Sequence, residues 1–213
     1  MTSPLTALRL AVARAPIVPV LVVSDVAQAA PLAKALLEGG LTTAEVTLRT
    51  PAGIGAIAAM KAAAPELLVG AGTVLNGEDV RNSVEAGADF LVSPGMSSGL
   101  LEALGEHRLL MIPGVATASE AMSRHEEGFE MLKLFPANIA GGVPALKALA
   151  GPLPHLQFMP TGGVSAGNAG EYLALKNVVA VGGSWVATQA DVESGAWESI
   201  SRKASQALSA ISA

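Results

Sequence analysis

A lysine stands between leucines in FEMLKLFPANIAGG, residues 129–142, a stretch that otherwise reads as a buried strand. An ammonium group loses hydration in such a setting and is expelled or neutralised unless something repays the desolvation. Lys133 therefore needs a reason to be there. Other polar residues lie where apolar runs end: Glu45 and Arg49 in AEVTLRT, Thr73 in GAGTVLN, Ser93 and Pro94 in LVSPG. Phe135 in LKLFP, Thr161 with Gly162 and Gly163 in PTGG, and Ser184 in VGGSWV complete the set. Among them Glu45 is the carboxylate that can partner the lysine. An amine and a carboxylate in one apolar pocket suit carbonyl chemistry. Burial disfavours the ammonium, and the neutral amine is the nucleophile that attacks a ketone to form an imine. The carboxylate can move protons as the carbinolamine dehydrates, and again at the carbon that becomes an enamine. The plain alternative is a structural ion pair filling the interior.

The pair meets only if the chain folds so as to bring it together. Three stretches, EGGLTTAEVTLRTP (38–51), EAGADFLVSPG (85–95) and EEGFEMLKLFPAN (126–138), share one grammar. An acidic residue and glycine end a helical pattern, an apolar strand follows, and proline marks the strand's exit. Strands IVPVLVV (17–23), LLVGAG (67–72), LLMIPG (109–114), LQFMPTGG (156–163) and NVVAVGGS (177–184) fit the same cycle, which makes eight. Helical spacing fills the intervals, as in DVAQAAPLAKALLEGG and TPAGIGAIAAMKAAAP. Continuously apolar strands must be covered on both faces, the condition of a parallel sheet wrapped in helices. Eight such units predict an α/β fold of the (β/α)8 TIM barrel type, one domain over residues 1–213. Leu5, Leu8 and Val12 predict an N-terminal helix, and ADVESGAWESISRKASQALSAIS a closing helical segment of one helix or two. An open doubly wound sheet is the competing arrangement, but VPVLVVSD lacks the G-x-G-x-x-G fingerprint at the first turn.

A barrel assigns meaning to strand ends, because its chemistry sits where strands end and βα loops begin. Glu45 and Lys133 fall on strands two and six, and alternate strands share interior layers, so the two side chains are expected to meet across the barrel. TGGVS (161–165) and VGGSW (181–185) follow strands seven and eight, where barrels commonly hold phosphate. Both are read as glycine pairs followed by a small residue that opens a helix, whose N–H groups favour an anion. Thr161 and Ser184 add hydroxyl donors, and the planar fork of Arg49 suits a carboxylate. Phe135 can wall the lysine off from water. His107, His125 and His155 look isolated, so no metal site is expected. No G-x-S-x-G elbow appears.

Totals narrow the partners. The formal charge is −5, and the 13 Lys and Arg residues are scattered, so no nucleic acid footprint is expected. There is no cysteine, which excludes disulfides, thiolate metal sites, iron–sulfur clusters and cysteine nucleophiles. No apolar run approaches the ~18 residues of a membrane span. Two arginines precede the first acidic residue, Asp25, but Pro16 and Pro19 interrupt any targeting-type apolar core. A small-molecule enzyme of the cytoplasm is the expectation.

Taken together, EVTLRTP, VGAGTVLN, SPG, K-x-FPA, PTGG and VGGSW resemble the 2-keto-3-deoxy-6-phosphogluconate (KDPG) aldolase family, often bifunctional toward 4-hydroxy-2-oxoglutarate. The resemblance spans nearly the whole chain. It implies class I retro-aldol cleavage of a 2-keto acid to pyruvate and glyceraldehyde 3-phosphate, with no cofactor and no metal. It implies Lys133 as the Schiff base residue and Glu45 as general acid/base. Arg49 and Thr73 would hold the pyruvyl carboxylate, Pro94 and Phe135 would line the pocket, and Thr161, Gly162, Gly163 and Ser184 would meet the phosphate. A homotrimer is also implied. Asn138 departs from the acidic residue that relatives often carry after FPA. The 2-keto-3-deoxy-6-phosphogalactonate acid is an alternative substrate, and a phosphosugar isomerase or epimerase barrel an alternative activity.

Overall fold

The computed structural model describes residues 4–211. Helix α1 (Pro4–Arg14) precedes β1 (Ile17–Leu21), and α2 (Ala29–Glu38), β2 (Thr43–Thr47), α3 (Gly53–Ala63), β3 (Leu68–Gly72), α4 (Gly77–Glu85), β4 (Phe90–Val92) and α5 (Ser98–Leu104) follow. The second half runs β5 (Met111–Ile112), β6 (Gly114–Val115), α6 (Ala118–Glu126), β7 (Met131–Leu134), α7 (Gly142–Leu149), β8 (Gln157–Phe158), α8 (Ala169–Leu173), β9 (Val181–Gly183), α9 (Gln189–Glu193) and α10 (Trp197–Ile211). Every strand pairing is parallel. One sheet runs in the order β5-β4-β3-β2-β1-β9 and the other β6-β7-β8. The sheets join where β5 passes through Pro113 into β6, and where Phe158 bridges Val178 and Thr161 bridges Gly182. The nine segments therefore make eight staves of a closed barrel with helices outside.

The fifth stave corrects the sequence reading of residues 109–114. Leu109 and Leu110 end a 3-10 segment, Gly105–Leu110, and only Met111–Ile112 and Gly114–Val115 pair. Pro113 has no N–H for the ladder, which splits the strand. Its carbonyl still accepts from the Lys133 N–H at 2.9 Å. The last two staves are also shorter than read, their outer residues joined by single bridges.

Helix starts follow local chemistry. Asn76 caps α4 by accepting from the N–H groups of Glu78 and Asp79, and Thr117 with Glu120 and Thr188 with Asp191 form capping boxes for α6 and α9. The apolar residues divide into two layers. Outward-facing Val46, Val69 and Leu132 pack under the helices, while inward-facing Val18, Phe90, Val92, Ile112, Met131 and Met159 fill the barrel with Leu8 and Val12 of α1. Helix α1 thus closes the N-terminal end of the barrel. The closing segment forms two helices, and α10 buries Ile200, Ala204 and Ala207. Among the described residues, no helix is long and apolar enough to cross a membrane.

Candidate active site

Lys133 lies on β7 and Glu45 on β2, each pointing into the barrel above the apolar filling. The lysine Nζ donates to Glu45 Oε1 at 3.1 Å, with side chains 5% and 1% exposed. Both carry the cost of desolvation, which their attraction and this hydrogen bond offset. Glu45 Oε2 is buried without a protein partner, so half of the carboxylate is available to another proton donor. Just past the end of β7, the Phe135 ring centroid lies 5.0 Å from Nζ. The ring face favours a cation and helps to exclude water. Such a set can supply a nucleophile, a proton carrier and an apolar wall.

Above the pair opens a cleft of about 410 Å³. Six predicted residues line it: Arg49, Phe135, Thr161, Gly162, Gly163 and Ser184. Arg49 follows β2 and its Nε donates to Thr73 Oγ1 at 3.3 Å. Thr73 holds φ 63°, the left-handed region that a β-branched residue rarely adopts. That backbone outlier sits at the rim, as strained residues at functional sites often do. Thr73, Pro94, Glu45 and Lys133 do not themselves line the cleft, and Phe135, 5.0 Å from the lysine Nζ, stands between the buried pair and that space. Pro94 instead lies against Gly114, where a side chain would collide with its carbonyl.

The glycine turns differ from expectation in one respect. Neither opens directly into a helix: α8 begins at Ala169 and α9 at Gln189. Asn168 holds the first turn by accepting from the Ser165 N–H at 2.8 Å and donating to Gly163 O at 3.0 Å. The left-handed φ values of Gly162 (95°) and Gly163 (74°) shape that turn. An anion in the cleft would be met by turn N–H groups and hydroxyls, with Thr188 and Gln189 at the start of α9 in the same wall. Ser93, singled out with Pro94, is fully buried and its Oγ accepts from the Gly114 N–H at 3.5 Å, a packing role.

The histidines also need correction. His125 and His155 are in contact, with ring centroids 4.0 Å apart, because the end of α6 and the approach to β8 converge. Among the described residues, no group of three or more His, Cys, Asp or Glu side chains is placed to hold a metal.

Sequence reasoning missed Val20, Val22, Thr188 and Gln189 in the cleft wall. The spacing Thr188-x-x-Asp191 just past the last strand was the available signal, since a capping box there starts a helix at the catalytic end of a barrel. Lys203 and Thr188 hold the Asp191 carboxyl below its ordinary value, and its hydrogen bonds to the Thr188 N–H and hydroxyl and to Lys203 Nζ tie this rim to α10.

Comparison with known proteins gives the family. The profile of the KDPG and KHG aldolase family matches residues 9–203. The 2-dehydro-3-deoxy-phosphogluconate aldolase of Pseudoalteromonas atlantica is 47% identical over 193 residues, covering 91% of this chain and 90% of the relative. The KHG/KDPG aldolase of Escherichia coli K12 is 46% identical, covering 91% of each. Among solved structures, the KDPG aldolase of Legionella pneumophila, with pyruvate captured at low pH as a covalent carbinolamine intermediate, superposes with a TM-score of 0.90 at 40% identity, over 97% of this chain and 98% of that one. These likenesses favour an aldolase over the isomerase alternative. The chain belongs to the KDPG and KHG aldolase family, whose members are carbon–carbon lyases.

Proposed function

We propose that the protein cleaves 2-keto-3-deoxy-6-phosphogluconate to pyruvate and glyceraldehyde 3-phosphate through an imine on Lys133. The observation that carries this reading is the buried 3.1 Å contact between Lys133 Nζ and Glu45 Oε1 beneath an open cleft. The amine adds to the C2 carbonyl, and the carbinolamine hydroxyl takes a proton from Glu45 or from water and leaves as water, giving a cationic imine. Cleavage of C3–C4 sends its electron pair through C3 into the imine as an enamine, while the C4 hydroxyl proton passes to Glu45, directly or through water. The aldehyde departs, Glu45 returns a proton to C3, and hydrolysis releases pyruvate and the free amine. Arg49, with Thr73, would hold the C1 carboxylate. Thr161, Gly162, Gly163 and Ser184 would grip the phosphate far from the breaking bond, so that remote binding energy orients the reacting carbons. Pro94 would border the pocket from outside the cleft lining. Cleavage of 4-hydroxy-2-oxoglutarate would need the same pair without the phosphate grip. A cytoplasmic homotrimer is the assembly this reading carries.

Reduction with borohydride in the presence of pyruvate tests it, with a stable pyruvyl adduct on Lys133 by peptide mass spectrometry as the expected result. No adduct on any lysine would remove the imine. Pyruvate release from the phosphogluconate, phosphogalactonate and 4-hydroxy-2-oxoglutarate substrates, assayed side by side, ranks them. Light scattering counts the subunits.

A further inference from the structure

An eight-stranded barrel is just wide enough for side chains to fill it, so two long charged residues can meet inside only where neighbouring positions stand empty. Inward-facing Gly70 and Gly72, on β3 beside β2, are two such positions. At Gly70 the space is taken by the Phe90 ring, a packing matter. At Gly72 it is taken by Glu45: a Cβ there would lie 2.7 Å from its Cγ and 2.8 Å from its Cδ, and closer still to Oε1. The glycine is not required by its own backbone, since its φ is not among the positive values. A side chain would also leave intact the ladder bond from the Leu48 N–H to Gly72 O, 2.8 Å. What a side chain at 72 would disturb is the carboxylate that touches Lys133.

We propose that Gly72 is a positioning residue for proton transfer, its missing side chain being the space that seats the Glu45 carboxylate against Lys133. The inference rests on the reading that Glu45 moves protons in an imine mechanism. It separates two steps: a Cβ at 72 displaces the proton carrier and leaves the amine in place, so imine capture persists while proton transfer fails.

The test compares wild type, Gly72→Ala, Glu45→Ala and the double variant in three measurements: pyruvyl adduct on Lys133 after borohydride, steady-state cleavage, and exchange of pyruvate methyl protons in D2O. For Gly72→Ala the adduct should form, while kcat and methyl exchange fall together by about 10–10²-fold, the scale of a 1 Å misplacement, with KM little changed. In the Glu45→Ala background Gly72→Ala should add no further loss, because it acts only through the missing carboxylate. Wild-type turnover and exchange in folded Gly72→Ala, or the same loss again in the double variant, overturns the inference. If Gly72→Ala does not fold, the double variant should recover folded yield, since Glu45→Ala empties the contested space; failure to recover also overturns it. Absence of the adduct in wild type overturns the underlying imine reading, and this inference with it, whereas its presence with full Gly72→Ala turnover overturns this inference alone.

Discussion

The two halves of the barrel interior are built from the same strands and have opposite contents. Toward the N-terminal ends, Val18, Phe90, Val92, Ile112, Met131 and Met159 pack against Leu8 and Val12 of α1. One alternate position further along, β7 replaces Met131 with Lys133, and the neighbouring space holds Glu45, glycines and the cleft. The lower half is a plug, and on the proposed mechanism the upper half is a reaction chamber. A dry plug beneath the ion pair also keeps the local dielectric low, which strengthens the coupling between amine and carboxylate. Changes above the boundary should therefore act on turnover, and changes below it on stability.

The sharpest way to break that division is Lys133→Ala. Turnover should fall by at least ~10³-fold with loss of the borohydride adduct. The melting curve should also shift, because an unpartnered buried carboxylate costs about 3–5 kcal/mol. Glu45→Gln should lower kcat by about 10²–10⁴-fold, the range for a general acid or base, while the pyruvyl adduct still accumulates in the mass spectrum. From the lower half, Met159→Ala should cost about 2–5 kcal/mol in denaturant unfolding with kcat of the folded enzyme nearly unchanged. A large loss of kcat there would mean that plug and chamber are not independent.

The smallest expected effect sharpens the comparison at the rim. Asp191 is held below its ordinary value of 3.8 by Lys203 and Thr188. A depressed carboxyl contributes stability that is complete above the unfolded-state value and is lost as pH falls from there through the folded-state value. Asp191→Asn should thus lower the melting temperature by about 2–4 °C at pH 7. The gap from wild type should close in thermal scans at pH values below that of the unfolded carboxyl.

Legibility in the sequence followed locality. The contact of Lys133 with Glu45 was readable because barrel parity carries strands two and six into one layer, and the place of Arg49, Thr161, Gly162, Gly163 and Ser184 in the cleft wall because loops gather at strand exits. Pro113 shows a limit: its missing N–H split a strand that apolar content alone presented as continuous. The contact between His125 and His155 was invisible for a different reason, since 30 residues and a strand separate them and no short-range pattern links them. The glycine turns were placed correctly but misjudged, because how soon a helix follows depends on caps such as Thr188 and on the Asn168 clamp.

The pattern of apolar runs and turn residues pointed by itself to a parallel barrel, and one misplaced lysine to imine chemistry or a structural ion pair, because strand period and desolvation cost are properties of neighbouring residues. Which atoms touch was decided by the tertiary structure alone. That Glu45 fits only where Gly72 has no side chain, and that Thr188 and Gln189 wall the cleft, depends on how distant strands and loops share a volume too narrow for all of them to carry side chains.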